Sequence, residues 1–181
     1  MNYIDEQRDA NGPDEGAYSQ LCKSRAHAFL NLPFLEEDHT ILDVGSRTGA
    51  ALKELQKAHK NVTGIELVPE FAKEAGAQCG NFLTTDLEEV DWIFASHVVE
   101  HFNQPKEGRD KLFDLAKLGV FLVTPMELEE HFKANPSHHF HAFWPEEWLD
   151  WLRNPKFTLF CMQAFPEYGD ILWVFLRRQA V

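Results

Sequence analysis

Apolar and polar positions follow two rhythms along this chain, and each rhythm predicts a kind of element. Over residues 14–30, Tyr18, Leu21, Cys22, Ala28 and Phe29 recur at helical spacing, and Pro33 follows the segment's end. Thr40–Gly45 (TILDVG) is instead a short apolar run, the mark of a buried strand. Helical spacing returns over Thr48–His59, with Ala51, Leu55 and Ala58 on one face. Asn61–Leu67 reads as a second strand, and Pro69 suits the first turn of a short helix that Gly76 closes. Further strands are predicted near Gln78–Thr84, at Asp91–Val98 and at Val120–Pro125, with a helix over Pro105–Leu118 and Gly119 beyond it. A helix at Pro145–Arg153, its start clasped by Phe143 and Trp148, leads to two last strands, Phe157–Phe165 and Ile171–Arg177. Pro166–Asp170 joins these two as a hairpin-like connection.

Strands alternating with helices and closed by a hairpin predict a doubly wound α/β fold. Its seven-stranded sheet is mostly parallel with one antiparallel C-terminal strand, and helices cover both faces. Residues 1–13 read as a loose tail and 14–181 as a single domain, a size that suits one core.

Composition acts mainly by exclusion. Seventeen Lys and Arg face 29 Asp and Glu, a formal charge of −12, and no basic run is longer than Arg177-Arg178. A polyanion needs clustered cations to displace its counterions, so nucleic acid and anionic membrane are not expected as partners. No stretch reaches the roughly 20 apolar residues that span a bilayer. The opening MNYIDEQRDANGPDEG lacks the apolar core of a secretory signal. Cys22, Cys79 and Cys161 lie far apart with no CxxC spacing, which fits free thiols in a reducing compartment. A cytoplasmic location is the expectation.

Chemistry is concentrated in ILDVGSRTGA, Ile41 to Ala50. A buried strand ends in Asp43-Val44-Gly45, and Gly49 opens a helix. Ligands of open α/β sheets bind outside the carboxyl ends of strands, where glycine lets a ligand approach the backbone. Glu66 ends the next strand, at the place where a carboxylate can accept hydrogen bonds from both hydroxyls of a ribose. Together the two elements imply a nucleoside-bearing cofactor. A dinucleotide fingerprint would need glycine at 47 and 50, where this chain has Arg47 and Ala50, so a pyrophosphate is the weaker reading.

The order DVGSRTG, IEL, TTDL, SHVVEHF and HHFHAFWPEEWLDWL resembles the class I S-adenosylmethionine-dependent methyltransferases, the small methyltransferase-domain group in particular, from about Thr40 to Arg177. The resemblance implies a Rossmann-like methyltransferase fold with S-adenosylmethionine as cofactor. It implies that the turn with Asp43, Gly45, Ser46, Arg47 and Gly49 holds the methionine end and that Glu66 holds ribose, with Leu67 beside adenine. Asp86 would face the adenine amino group next to Leu87, and Ser96 and His97 would complete the pocket wall. The chain departs from the family at Arg47, where the middle glycine of G-x-G-x-G belongs. Three roles stay open for that side chain: pointing outward, pairing with the cofactor carboxylate, or reshaping the pocket.

Glu100 and His101 follow the fourth strand on the side expected to face the methyl acceptor. His101 is the candidate proton acceptor, against a plainer role in fixing the loop. His131, His138, His139 and His141 lack the cysteines or helical i, i+4 pair of a zinc site, so no metal is assigned. That loop reads as a lid, with His138, His139 and His141 toward substrate. Trp144, Trp148 and Trp151 fit a core face, and Tyr18 and Arg25 either close over the cofactor or serve packing and surface charge. The reading is a methyltransferase acting on a small-molecule acceptor or a group presented by a partner. A non-catalytic S-adenosylmethionine-binding subunit is the alternative, and a metal-assisted hydrolase is a distant third.

Overall fold

Ile41–Val44 is buried on both faces, which is why its sequence shows no alternation, and it forms a central strand. The computed structural model describes residues 15–126, 145–166 and 168–178. The expectations for the tail, for Phe143 and Trp144, and for His131, His138, His139 and His141 lie outside the described residues. The elements run α1 (Glu15–Leu30), β1 (Ile41–Val44), α2 (Ala50–Ala58), β2 (Val62–Glu66), α3 (Pro69–Ala75), β3 (Gln78–Cys79) and β4 (Val90–Ser96). A 3-10 turn (Val99–His101), α4 (Pro105–Leu115), β5 (Ala116–Pro125), α5 (Pro145–Leu152), β6 (Phe157–Phe165) and β7 (Asp170–Arg177) follow.

The strands order β3-β2-β1-β4-β5-β7-β6. Six share one direction and β7 alone runs against them, pairing antiparallel with both β5 and β6. Chain order reverses between β1 and β4. Such a switch point opens a crevice at the carboxyl ends of its strands, and the predicted site residues converge there.

Two apolar layers hold the sheet. On one face Phe29 of α1 meets the rings of Trp92, Phe94 and Phe121 edge-on, with centroids 5.4 to 5.8 Å apart. On the other, Leu112, Phe113, Trp148 and Leu152 from α4 and α5 cover Val120, Leu122, Trp173 and Phe175. Fully burying a ring of this kind contributes about 1.5–3 kcal/mol, so the two layers fix the strands before any site is considered. Among the described residues no helix is long and apolar enough to cross a membrane.

Two predicted boundaries are corrected. The strand expected over Gln78–Thr84 is only two residues long, because Asn81 turns the chain. Its side-chain Oδ1 accepts from the Leu83 N–H at 2.9 Å, and its carbonyl accepts from Thr84 and Thr85. The helix expected to reach Leu118 ends at Leu115, and Ala116 already pairs with Val90 of β4. Gly119 does not close the helix. It lies inside β5, where an added Cβ would run into the ring of Trp92.

Candidate cofactor and acceptor site

The turn from β1 into α2 is built on two left-handed glycines, Gly45 at φ 73° and Gly49 at φ 85°. A Cβ on Gly45 would lie 2.5 Å from Val98 Cγ2, and one on Gly49 would lie 2.7 Å from the Ala75 Cα. The glycines thus let the turn pack against its own chain, a need added to any ligand's. The Gly45 and Ser46 N–H groups both donate to the Ile65 carbonyl, at 2.9 and 3.3 Å, and fasten the turn to β2.

Glu66 is buried at the tip of β2 and organises this corner. Its Oε2 accepts from the Arg47 N–H at 2.8 Å and its Oε1 from the Val68 N–H at 2.9 Å. A carboxylate offers about four acceptor sites, so two bonds leave room for two more. Asp43 is 2% exposed at the tip of β1, and its Oδ2 has no hydrogen-bond partner. Burial pushes its carboxyl up to about 7, and the nearby Glu66 charge adds to the rise. Arg47 itself takes φ 47°, and its guanidinium carbon stands 4.2 Å from the centre of the Tyr18 ring of α1.

At the tip of β4 a second set of charges meets. His97 leaves the strand at φ 55°, and its N–H donates to the Val123 carbonyl at 2.8 Å. The ring Nε2 lies 2.8 Å from Asp170 Oδ1, and Nδ1 lies 3.3 Å from Glu100 Oε1. Arg25 of α1 reaches the same cluster, its Nε donating to Asp170 Oδ2 at 3.0 Å and its Nη1 to the Ser96 hydroxyl at 3.3 Å. Burial would lower the His97 pKa, yet the hydrogen bond to Asp170 and the Glu100 carboxylate outweigh it and hold the ring above its ordinary value. The same contacts hold Glu100 and Asp170 below theirs, against a burial that would raise them. The His97 ring thus sits between two carboxylates, with the Arg25 Nη2 also 3.0 Å from its Nε2.

These shifts set a pH dependence. Between the ordinary carboxyl value of 3.8 and about 7, folded Asp43 keeps a proton that the unfolded chain has released, so stability falls as pH rises through that window. His97 adds in the same direction. Its contribution is complete below the ordinary value of 6.5 and is lost as pH climbs through the raised folded value. Asp170 and Glu100 act oppositely and only at lower pH, because their contribution is lost as pH falls through their lowered values. The melting temperature of the free protein is expected to fall from pH 5 to pH 8, and Asp43→Asn should remove much of that fall. A flat profile in the parent protein would contradict this electrostatic picture.

The fold brings Asp43, Gly45, Ser46, Arg47, Gly49 and Glu66 into one corner. It joins them to Ser96, His97, Glu100 and His101 through Val98, which packs on Gly45. Leu67 is half-buried next to Glu66, and Leu87 packs on the core. Glu100, expected to face the acceptor, is wholly buried and turned to His97. His101 is half-buried on the 3-10 turn. Asp86 is exposed beyond the Asn81–Thr85 turn, where its charge acts on Lys111. Gly80, whose N–H donates to the Glu66 carbonyl at 2.9 Å, and Asn81 stand at the tip of β3 instead. Asp170 is absent from the sequence reading, and Arg25, read there as either closing over the cofactor or serving packing and surface charge, is turned inward to pair with it. One signal pointed to Asp170: an antiparallel last strand must begin where its parallel neighbours end.

Residues 42–124 match the family model of the methyltransferase domain. No curated protein matches the sequence. Among solved structures the chain is similar to a methyltransferase in complex with the Trm112 methyltransferase activator of Haloferax volcanii. The identity is 15%, the TM-score 0.73, and 91% of this chain and 95% of that one are covered. It is also similar to the magnesium protoporphyrin IX methyltransferase of Synechocystis PCC 6803 with bound SAH, at 15% identity and TM-score 0.70, covering 97% and 94%. A third similarity is to the [4+2]-cyclase SpnF, at 12% identity and TM-score 0.70, covering 91% and 82%. The domain match spans under half of the chain, and with the sheet order it gives the chain the Rossmann-like fold of the class I S-adenosylmethionine-dependent methyltransferases.

Proposed function

We propose that this methyltransferase acts on a small-molecule acceptor held above the tips of β1 and β4. The observation that carries the reading is a pair of buried carboxylates on adjacent strand tips, Glu66 with spare acceptor capacity and Asp43 with an unpartnered oxygen. S-adenosylmethionine suits this set, because its ribose diol offers donors to Glu66 and its ammonium and sulfonium offer positive charge to Asp43. Gly45, Ser46, Arg47 and Gly49 would hold the methionine end, Ser96 and His97 the wall beside it, and Leu67 and Leu87 the adenine flank. Exposure of Asp86 weakens its assignment to the adenine edge, and the position of Asn81 after β3 favours that residue. The formal charge of −12 supports a small acceptor over nucleic acid.

When bound, the cofactor supplies a methyl group already activated on sulfur. The chain's own task is then orientation, an effect worth up to about 7–11 kcal/mol in favourable cases. A base is needed only where the acceptor must shed a proton during attack. His97 cannot serve, since carboxylates face both of its ring nitrogens. Among the described residues His101 is the other histidine at this tip and the candidate for that role. The test is release of S-adenosylhomocysteine across a panel of small hydroxyl, amine and thiol acceptors, with an oligonucleotide as contrast. Turnover on one small acceptor class is expected. Retained cofactor affinity with no turnover on any acceptor would mark a binding subunit instead.

A further inference from the structure

Four carboxylates and three cations meet around these strand tips, and their pairing is uneven. Asp170 is paired with Arg25 and His97, and Glu100 has His97 Nδ1 at 3.3 Å although neither of its oxygens is hydrogen-bonded. Arg47 is the cation left over. Among the described residues its guanidinium has no carboxylate within ion-pair distance, and its Nε is buried without a hydrogen-bond partner. What holds it is the face of Tyr18, 4.2 Å from the guanidinium carbon, while its backbone N–H is tied to Glu66. A ring face orients a guanidinium but satisfies none of its N–H groups, so the planar fork keeps its donors for an anion.

Helix α1 places this fork over the crevice. Arg25 of α1 bonds Ser96, the last residue of β4, so that level of the helix is already at the carboxyl edge of the sheet. Tyr18 is two turns nearer the helix N-terminus, about 10 Å further out. The Tyr18–Arg47 stack therefore stands beyond the strand tips, on the side where the turn at 45–49 faces out of the sheet. The backbone of Arg47 is itself left-handed at φ 47°, a conformation that glycine adopts without cost and arginine does not.

We propose that Arg47 is an anion anchor, held by Tyr18, that binds the carboxylate of the cofactor's amino-acid end. This rests on the cofactor site proposed above and assigns one of its ends to a residue where the family carries glycine. The carboxylate would meet the guanidinium while the neighbouring ammonium meets Asp43, so a zwitterion is read by two side chains of opposite sign on one turn.

Two ligands separate the anchor from other roles. S-adenosylhomocysteine carries the amino-acid end, and 5′-methylthioadenosine lacks it but keeps adenine, ribose and sulfur. Calorimetric titration of the parent protein and of Arg47→Gly with both ligands is the experiment. Glycine suits the left-handed backbone, so this variant should fold, and circular dichroism checks that it does. Arg47→Gly is expected to lose roughly tenfold to hundredfold in affinity for S-adenosylhomocysteine and to bind methylthioadenosine as the parent does. Arg47→Lys, which keeps the charge without the fork, should fall between. Tighter or unchanged binding of S-adenosylhomocysteine by Arg47→Gly would overturn the anchor and make the side chain a plug. An equal loss for both ligands would also overturn it, as a general support of the pocket. Failure of the parent to bind either ligand would instead remove the cofactor site itself.

Discussion

Asp170→Ala is expected to lower the unfolding free energy by about 3–5 kcal/mol, read as a drop in the urea midpoint. The carboxylate is 4% exposed and faces two cations, Arg25 through Nε and Nη2 and His97 through Nε2. Removing it leaves both charges at the strand tips with only Glu100 to answer them. The penalty is that of stranded charge, which is why it exceeds the value of an ordinary ion pair. The Arg153–Asp150 pair makes the contrast, since its side chains are 74% and 76% exposed. Asp150→Ala should change stability by less than about 1 kcal/mol, because water screens the pair and hydrates whichever charge remains. Asp170→Ala within that same margin would mean that the network is ornamental.

Glu66→Ala should weaken S-adenosylhomocysteine binding by about a hundredfold or more. A hydrogen bond to a charged group contributes roughly 1.5–3 kcal/mol, and two ribose hydroxyls would each lose one. The same change frees the Arg47 and Val68 N–H groups from their acceptors and loosens the turn that carries the glycines. Glu66→Gln separates the two effects, since it keeps one acceptor oxygen and offers an amide where the other stood. It should retain part of the affinity and most of the stability. Calorimetry for the ligand and thermal melting for the fold give the two readouts, and unchanged affinity in Glu66→Ala would count against the site as drawn.

Residues whose burial is two-sided were the easiest to read from sequence. β1 and β4 are continuous apolar runs because helices cover both their faces, and their carboxyl ends could be located to within two residues. Asp43 followed from the end of β1, and Glu66 from the end of β2. Boundaries that depend on distant partners were not legible. Gly119 reads equally as the stop of a helix or as a gap in a strand, and only the ring of Trp92, brought alongside by the β4–β5 pairing, decides for the strand. β3 was drawn too long, so Asn81, which turns the chain at its tip, went unnoticed while Asp86 lies exposed beyond it. Arg25 sits one helical turn from both Cys22 and Phe29, on the buried stripe of α1, but its partner is 145 residues away along the chain. Nothing local distinguishes such an arginine from one on the surface.

Helix α1 runs unbroken for 16 residues, with Phe29 wedged among three aromatic rings near one end and Tyr18 resting on Arg47 near the other. A rod with no proline or glycine between those points cannot bend to let one end move alone. The position of the Tyr18–Arg47 stack and the firmness of the aromatic layer on that face of the sheet are thereby one mechanical property. Substitutions that slacken the aromatic seat should therefore shift the Tyr18–Arg47 stack about 16 Å further along the same helix.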